Sequence, residues 1–159
     1  MRRLLLPAAL AAACLAVFAG ASSAKVISKC VPNVRPGTAV ENKLTIRIFC
    51  GSAKATVHAG GITYKRSNGA CYLEAVGSLV IGLGKFTSTG LKPLYPALFI
   101  SVGATKDGTY KTGVVTLQRK GKILTSSTVT IVIKGKRTFG TFKGKFVKGP
   151  TFTGSFSCK

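Results

Sequence analysis

The chain has 159 residues, of which 24 are Lys or Arg and only three are Asp or Glu, so its formal net charge is +21. This composition excludes a dense network of salt bridges and leaves very few side chains for acid–base catalysis. The positive field favours partners that are polyanions: wall polymers, anionic lipid surfaces, acidic glycans or nucleic acid. The alternative is that the net charge serves only to keep the protein soluble.

The first 24 residues have the pattern of a secretory signal peptide. Arg2 and Arg3 precede an apolar stretch over residues 4–18, and small residues follow it. The apolar stretch is short for a bilayer span, so we expect cleavage after Ala24, with cleavage after Ala21 and an uncleaved anchor as alternatives. Loss of the two arginines lowers the net charge from +21 to +19.

Residues 25–159 are long enough for one hydrophobic core, and we predict a single domain without a further membrane-spanning segment. Its location is predicted to be secreted or associated with the cell envelope. Four cysteines remain in it, and an even number in an oxidising compartment indicates two disulfides. No CxxC pair is present and His58 is the only histidine, so we predict neither a metal nor another cofactor.

In the first half of this domain, apolar residues recur with a period of two, and turn residues follow at short intervals. This pattern is typical of antiparallel strands. Turns are predicted at Gly60-Gly61 and at Ser67-Asn68-Gly69, and a proline-bearing loop at residues 91–96. Strands are predicted at residues 44–50, 53–58, 62–65, 71–75, 78–83 and 97–102, and residues 78–83 are expected to be buried on both faces.

The second half repeats the pattern, with strands predicted at residues 110–118, 123–133, 139–147 and 152–158. Turns are predicted at Asp107-Gly108, Lys120-Gly121, residues 134–136 and Gly149-Pro150. The sequence contains no helical period. About nine short strands with frequent glycine predict an all-β fold, an antiparallel two-sheet sandwich of the immunoglobulin-like kind, with a closed β-barrel as the alternative.

Strand parity bears on the disulfides. Cys50 is in phase with Ile46 and Ile48, and Cys158 is in phase with Phe156, so both cysteines are predicted to point into the core. We therefore favour Cys50 with Cys158, which leaves Cys30 with Cys71. Four cysteines allow three connectivities, and parity alone does not decide between them. The main alternative pairs Cys30 with Cys50 and Cys71 with Cys158.

Three short segments carry a resemblance to a known group. They are Ile48-Phe49-Cys50 ahead of a small-residue strand and a Gly-Gly turn, residues 104–108 followed by Tyr110, and residues 154–158. This layout resembles small actinobacterial secreted sandwich proteins and, more distantly, the mycobacterial surface lipoprotein antigens. The resemblance implies a noncatalytic envelope protein and a disulfide between an early strand and the last one. The lipid-bearing cysteine that such antigens have at the end of the leader is absent here.

A cluster of cations near the C-terminus is the predicted polyanion-binding site. Phenylalanines at positions 139, 142 and 146 are interleaved with it, so bases could stack beside the cations. The alternative, which we favour, is that the phenylalanines are core residues and the lysines are solvated; lysines also protect an exposed sheet edge. The cationic residues are Lys134, Lys136, Arg137, Lys143, Lys145 and Lys148.

Catalysis is the competing hypothesis. A small basic nuclease would use Glu74 as general base and His58 as general acid, with nearby cations stabilising the pentacovalent phosphorus. No serine lies in a G-x-S-x-G elbow. We predict no catalytic residues and no enzyme activity. The sequence therefore predicts a noncatalytic binding module for anionic polymers or surfaces, with a secreted nuclease or hydrolase and a structural wall-associated protein as alternatives.

Overall fold

The computed structural model describes residues 25–87, 92–119 and 121–159, so the predicted signal peptide lies outside the described residues. Within these ranges the protein is all-β, as predicted, and no helix is present that could cross a membrane. The described strands are β1 Lys25–Ser28, β2 Gly37–Glu41, β3 Leu44–Ile48, β4 Ala53–Ala59, β5 Ile62–Leu73, β6 Leu79–Thr87, β7 Ala97–Val102, β8 Gly108–Tyr110, β9 Val114–Arg119, β10 Lys122–Lys134, β11 Phe139–Phe146 and β12 Thr151–Ser157.

Eight of the strands form one closed antiparallel barrel. Each barrel strand pairs with the next along the chain, in the order β4, β5, β6, β7, β9, β10, β11 and β12. The last strand then pairs with the first, from Ser157 opposite Lys54 to Phe152 opposite Ala59. Because this pairing closes the sheet, the structure shows the barrel that we gave as the alternative, and not two packed sheets.

Phenylalanine rings and glycines alternate on the inner face of β11 and β12. Phe142 lies opposite Gly154, and Phe152 lies opposite Gly144. A β-carbon added to either glycine would collide with the ring across from it, so the missing side chains make room for the rings. Small barrels commonly alternate large and small residues in this way. Phe142, Phe146, Phe152 and Phe156 are all buried, and the barrel interior is filled by side chains.

A second layer, formed by β1, β2 and β3, covers part of the barrel wall. It joins the barrel where β3 pairs with the end of β6, for example Ile46 with Thr87. Just after β3, the Phe49 ring rests on Gly82 of β6, and it lies 6.2 Å from the ring of Phe99. The barrel interior and this outer layer thus bury both faces of β6 over residues 79–83, which confirms the prediction except at Ser78, a half-buried residue just before the strand.

Two predicted features differ from the structure by more than the end residues of a strand. Ser67-Asn68-Gly69 is not a reversal but a bulge inside β5, where Asn68 adopts a left-handed φ of 59°. The chain bends there without turning back, because β4 continues alongside with Ala55 opposite Arg66 and Ala53 opposite Gly69. The strand predicted over residues 110–118 is instead two strands, β8 and β9, interrupted at residues 111–113.

The disulfides are Cys30–Cys50 and Cys71–Cys158, so the favoured pairing was wrong and the main alternative is correct. The parity argument failed because β3 ends at Ile48. Phe49 then takes the buried position and Cys50 is only half-buried, beside Cys30 in the outer layer. Cys71 of β5 bonds to Cys158, which directly follows β12, and this bridge joins the two strands that flank β4 at the end where β4 begins.

Asn33 links the outer layer to the barrel near both disulfides. Its backbone N–H donates to the Cys50 carbonyl at 3.1 Å, and its side-chain oxygen accepts a hydrogen bond from the Cys71 N–H at 3.3 Å. Its amide nitrogen donates to the hydroxyl of Ser52, which in turn donates to the Cys158 carbonyl at 2.7 Å. One side chain therefore fixes the position of the loop against both bridged segments.

Candidate functional site

The outward side chains of five adjacent strands form a surface that we call the outer face. Its strands, in order, are β5, β4, β12, β11 and β10. Since antiparallel pairing places opposite residues on the same side of the sheet, the outward residues form rows across the strands. One row contains Thr63, His58, Thr153, Lys143 and Thr130. The next row contains Lys65, Thr56, Ser155, Thr141 and Val132.

Three shallow grooves lie side by side on the outer face. The central groove, of about 460 Å³, is lined by residues of both rows, including His58, Thr141 and Lys143. It is flanked by grooves of about 520 Å³ and 600 Å³. None of the residues lining these grooves is Asp or Glu. Their cations are Lys54, Lys65, Arg66, Lys111 and Lys143, and their hydroxyl groups come from Thr56, Ser67, Ser127, Thr128, Thr130, Thr141, Thr151, Thr153, Ser155 and Ser157.

Two of the three carboxylates accept hydrogen bonds, and the donors are backbone N–H groups or a hydroxyl group and not charged side chains. Asp107 accepts hydrogen bonds from the backbone N–H groups of Lys136 at 3.0 Å and Arg137 at 2.8 Å. Both donors have a left-handed φ, of 58° and 66°, so the carboxylate stabilises a strained turn. Glu41 accepts a hydrogen bond from the Tyr95 hydroxyl, and this bond raises the pKa of Tyr95.

Glu74 lies at the turn between β5 and β6, where its backbone N–H donates to the Ser78 carbonyl at 2.9 Å. The pKa of Tyr72 is raised; burial is the larger cause, and the negative charge of Glu74 is the next. All three acidic residues therefore lie outside the grooves of the outer face. No carboxylate in the grooves therefore reduces the positive potential of the cations there.

The six cations predicted as one site do not come together. Lys143 and Lys145 are exposed on the outer face, at alternate positions of β11. Lys134 is the last residue of β10, Lys136 and Arg137 lie in the turn between β10 and β11, and Lys148 lies in the turn after β11. The length of β11 separates the two turns by about 25 Å. The structure therefore places two of the six residues on one surface and divides the other four between the two ends of β11.

The interleaved phenylalanines are mostly core residues. Phe142 and Phe146 are 2% and 0% exposed, as in the interpretation that we favoured, whereas Phe139 is 48% exposed. Only this one ring is available for stacking in the predicted cluster.

The proposed nuclease pair is not assembled. His58 Nδ1 lies 2.8 Å from Thr63 Oγ1, at the start of β5, whereas Glu74 follows the end of that strand. The two residues are separated by roughly 30 Å of strand. Among the described residues there is also no group of three or more His, Cys, Asp or Glu side chains that could hold a metal ion.

Sequence reasoning missed most of the outer face, including Lys54 and Lys65 and the rows of hydroxyls. One signal for it is present in the sequence: residues 151, 153, 155 and 157 are Thr, Thr, Ser and Ser, which is a hydroxyl at every second position of β12. Such a repeat predicts a hydroxyl-bearing strand face. It does not show which strands lie beside it.

No protein-family model, curated protein or solved structure matches the chain. The resemblance to actinobacterial secreted proteins stays a prediction.

Proposed function

We propose that this protein is a secreted or envelope-associated noncatalytic module that binds anionic polymers through the outer face of its barrel. The observation that carries the proposal is the chemistry of that face: each row across the five strands carries one lysine among several hydroxyl groups, and no carboxylate lines the grooves. Phosphate, sulfate and carboxylate groups accept hydrogen bonds from both kinds of donor.

The filled barrel interior supports a site on the outside. Small-molecule sites are usually concave and largely apolar, and an open eight-stranded barrel can hold one small ligand. Here Phe146, Leu83, Ile100 and Ile131 occupy the interior, each fully buried. A long ligand that lies across the wall needs no internal cavity.

The two disulfides support the location. Bridges of this kind persist in oxidising compartments, which agrees with the export predicted from the leader. A net positive charge retained outside the cell attracts wall polymers and other polyanions that carry many negative groups.

The proposal is tested with the oxidised domain of residues 25–159 and two triple variants of equal charge. One removes cations of the outer face: Lys65→Gln, Lys143→Gln and Lys145→Gln. The matched control removes three exposed cations of the outer layer: Lys25→Gln, Lys29→Gln and Arg47→Gln. The affinity of each protein for an anionic wall polymer is measured by titration at salt concentrations from 50 to 300 mM.

We expect tight, salt-sensitive binding by the wild type. If each of the three lysines contacts one anionic group, the slope of log K against log salt falls in magnitude by about 2 in the outer-face variant. In the control variant, the slope should change by less than half of this amount. Equal losses in both variants would reduce the charge to a nonspecific property and contradict the proposal. RNA added to the same assay is checked for length, since cleavage abolished by His58→Ala would favour the nuclease instead.

A further inference from the structure

We infer that the polymer recognised by the outer face is a linear polyol or sugar phosphate that lies along β12, and not a nucleic acid. This inference rests on the proposed function and specifies its ligand.

The path of the ligand follows from the shape of the wall. A barrel is convex across its strands and nearly straight along each one, so a linear chain keeps the most contact when it runs along a strand. Strand β12 is at the centre of the outer face, between β4 and β11. Its outward residues Thr151, Thr153 and Ser155 are exposed, and they form a column of hydroxyls about 7 Å apart.

Cations stand beside two consecutive positions of this column. Lys145 lies opposite Thr151, and Lys143 lies opposite Thr153. Directly opposite residues in an antiparallel pair have their Cα atoms about 5 Å apart, so one phosphate can accept hydrogen bonds from the hydroxyl and the ammonium of the same pair. The column thus offers two anion positions about 7 Å apart.

The next position of the column has a different character. Ser155 lies between Thr56 of β4 and Thr141 of β11, so three hydroxyls stand side by side without a charge. Hydroxyl groups both donate and accept hydrogen bonds, which suits a ligand segment that itself carries hydroxyls. A polymer in which phosphates alternate with polyols or sugars supplies both kinds of group in sequence. Beyond this position, Lys54 lies opposite Ser157, whose hydroxyl is engaged with the backbone of Lys159.

A nucleic acid fits this surface less well. Proteins that bind single strands stack successive bases on exposed aromatic rings. The aromatic residues that line the grooves are Phe142, Phe152 and Phe156, and all three rings are buried in the barrel. Two exposed rings lie nearby: Phe139, opposite Ser157 at the end of the column, and the imidazole of His58, opposite Thr153. Each can meet a single base at most, and two separate rings do not make the series of platforms on which successive bases stack. A duplex is read by an element that enters its groove, and the wall presents none on this face.

The experiment compares two probes with equal numbers of phosphates: poly(glycerol phosphate) and oligouridylate RNA. The variant Thr153→Val with Ser155→Ala removes two hydroxyls of the column and leaves the charge unchanged. Its matched control, Thr45→Val with Ser28→Ala, makes the same two changes in the outer layer. Thermal melts check that both variants fold as the wild type does.

The inference predicts that the wild type binds poly(glycerol phosphate) more tightly than the RNA. The column variant should lose about 5-fold in affinity for poly(glycerol phosphate) for each hydroxyl removed, with its salt slope unchanged. Its affinity for the RNA and both affinities of the control should stay within about 2-fold.

The outcomes separate this inference from the proposed function. Equal affinity for both probes, tighter binding of the RNA, or no effect of the hydroxyl variant overturns the inference, whereas a remaining dependence on Lys65, Lys143 and Lys145 keeps the proposed function. Stronger binding to vesicles of anionic lipid also overturns it. If neither probe distinguishes the lysine triple variant from its charge-matched control, the proposed function fails as well.

Discussion

The two disulfides constrain very different lengths of chain, and this predicts unequal contributions to stability. Cys30 and Cys50 are 20 residues apart, whereas Cys71 and Cys158 are 87 residues apart. A bridge stabilises the native state mainly because it reduces the entropy of the unfolded chain, and this effect grows with the logarithm of the loop length. The chain-entropy relation gives about 3.3 kcal/mol for the short loop and about 4.6 kcal/mol for the long one at 25 °C.

The perturbation is a pair of double variants, Cys30→Ala with Cys50→Ala and Cys71→Ala with Cys158→Ala. We expect the variant without Cys71–Cys158 to lose about 1.3 kcal/mol more free energy of unfolding than the variant without Cys30–Cys50. This is the difference between the stabilisation calculated for the long loop and that calculated for the short loop. Packing increases this difference, because Cys71 and Cys158 lie against the hydrophobic core, whereas the other bridge belongs to the outer layer. The two loops do not overlap in sequence, so the effects should be close to additive.

Urea unfolding of the oxidised proteins measures both free energies, and the slope with urea concentration shows whether the transition stays two-state. Masses of unreduced proteolytic fragments from the wild type check the pairing itself. The reasoning is refuted if the Cys30–Cys50 variant is destabilised as much as the other or more. A fragment that joins Cys50 to Cys158 would restore the pairing that strand parity favoured.

Two further predictions concern single residues. Gly154→Ala should destabilise the barrel by about 1–3 kcal/mol in urea unfolding, because the added methyl group meets the Phe142 ring, whereas Gly103→Ala, which has open space around it, should change stability by less than about 0.5 kcal/mol. Equal effects of the two changes would show that the Phe142 contact is unimportant. Asp107→Ala should cost about 1–2 kcal/mol in thermal melts, since two backbone N–H groups lose their acceptor. If the stability of the Asp107→Ala variant equals that of the wild type, the carboxylate does not stabilise the turn.

Local pattern predicted the strands well, because alternation and turn residues are properties of neighbouring positions. Strand β7 begins at Ala97 and ends at Val102, as the sequence indicates, and the turn at Gly60-Gly61 joins β4 to β5 as predicted. The same alternation arises whether strands form two sheets or one closed sheet, since each strand has one inward face in both. Barrel closure depends on which strand lies beside β4, and that information is not local.

Parity failed for the disulfides for a related reason. Extending the alternation of β3 to Cys50 assumed that the strand continues for two more residues, but it ends at Ile48 and the next buried side chain is Phe49. The phase of a strand is lost where its hydrogen-bonded pairing stops. The position of a cysteine just beyond a strand end therefore carries little information about its partner.

The candidate site shows how closeness in sequence differs from closeness in space. Six cations lie within fifteen residues of chain, yet β11 extends between them and carries them apart. The surface that contains Lys143 also contains Lys65, which is far away in the sequence and three strands across. Only the order of strands in the barrel reveals that these two residues lie on the same face.

Barrel closure also has a consequence for how the chain is made. All other barrel pairings join strands that are consecutive members of the wall, so each can form soon after its second strand has been synthesised. The pairing of β12 with β4 and the Cys71–Cys158 bridge must wait for the last residues. Until then β4 presents an unpaired edge and Cys71 is a free thiol beside the earlier cysteines. This architecture therefore requires that both be protected until the last strand is in place.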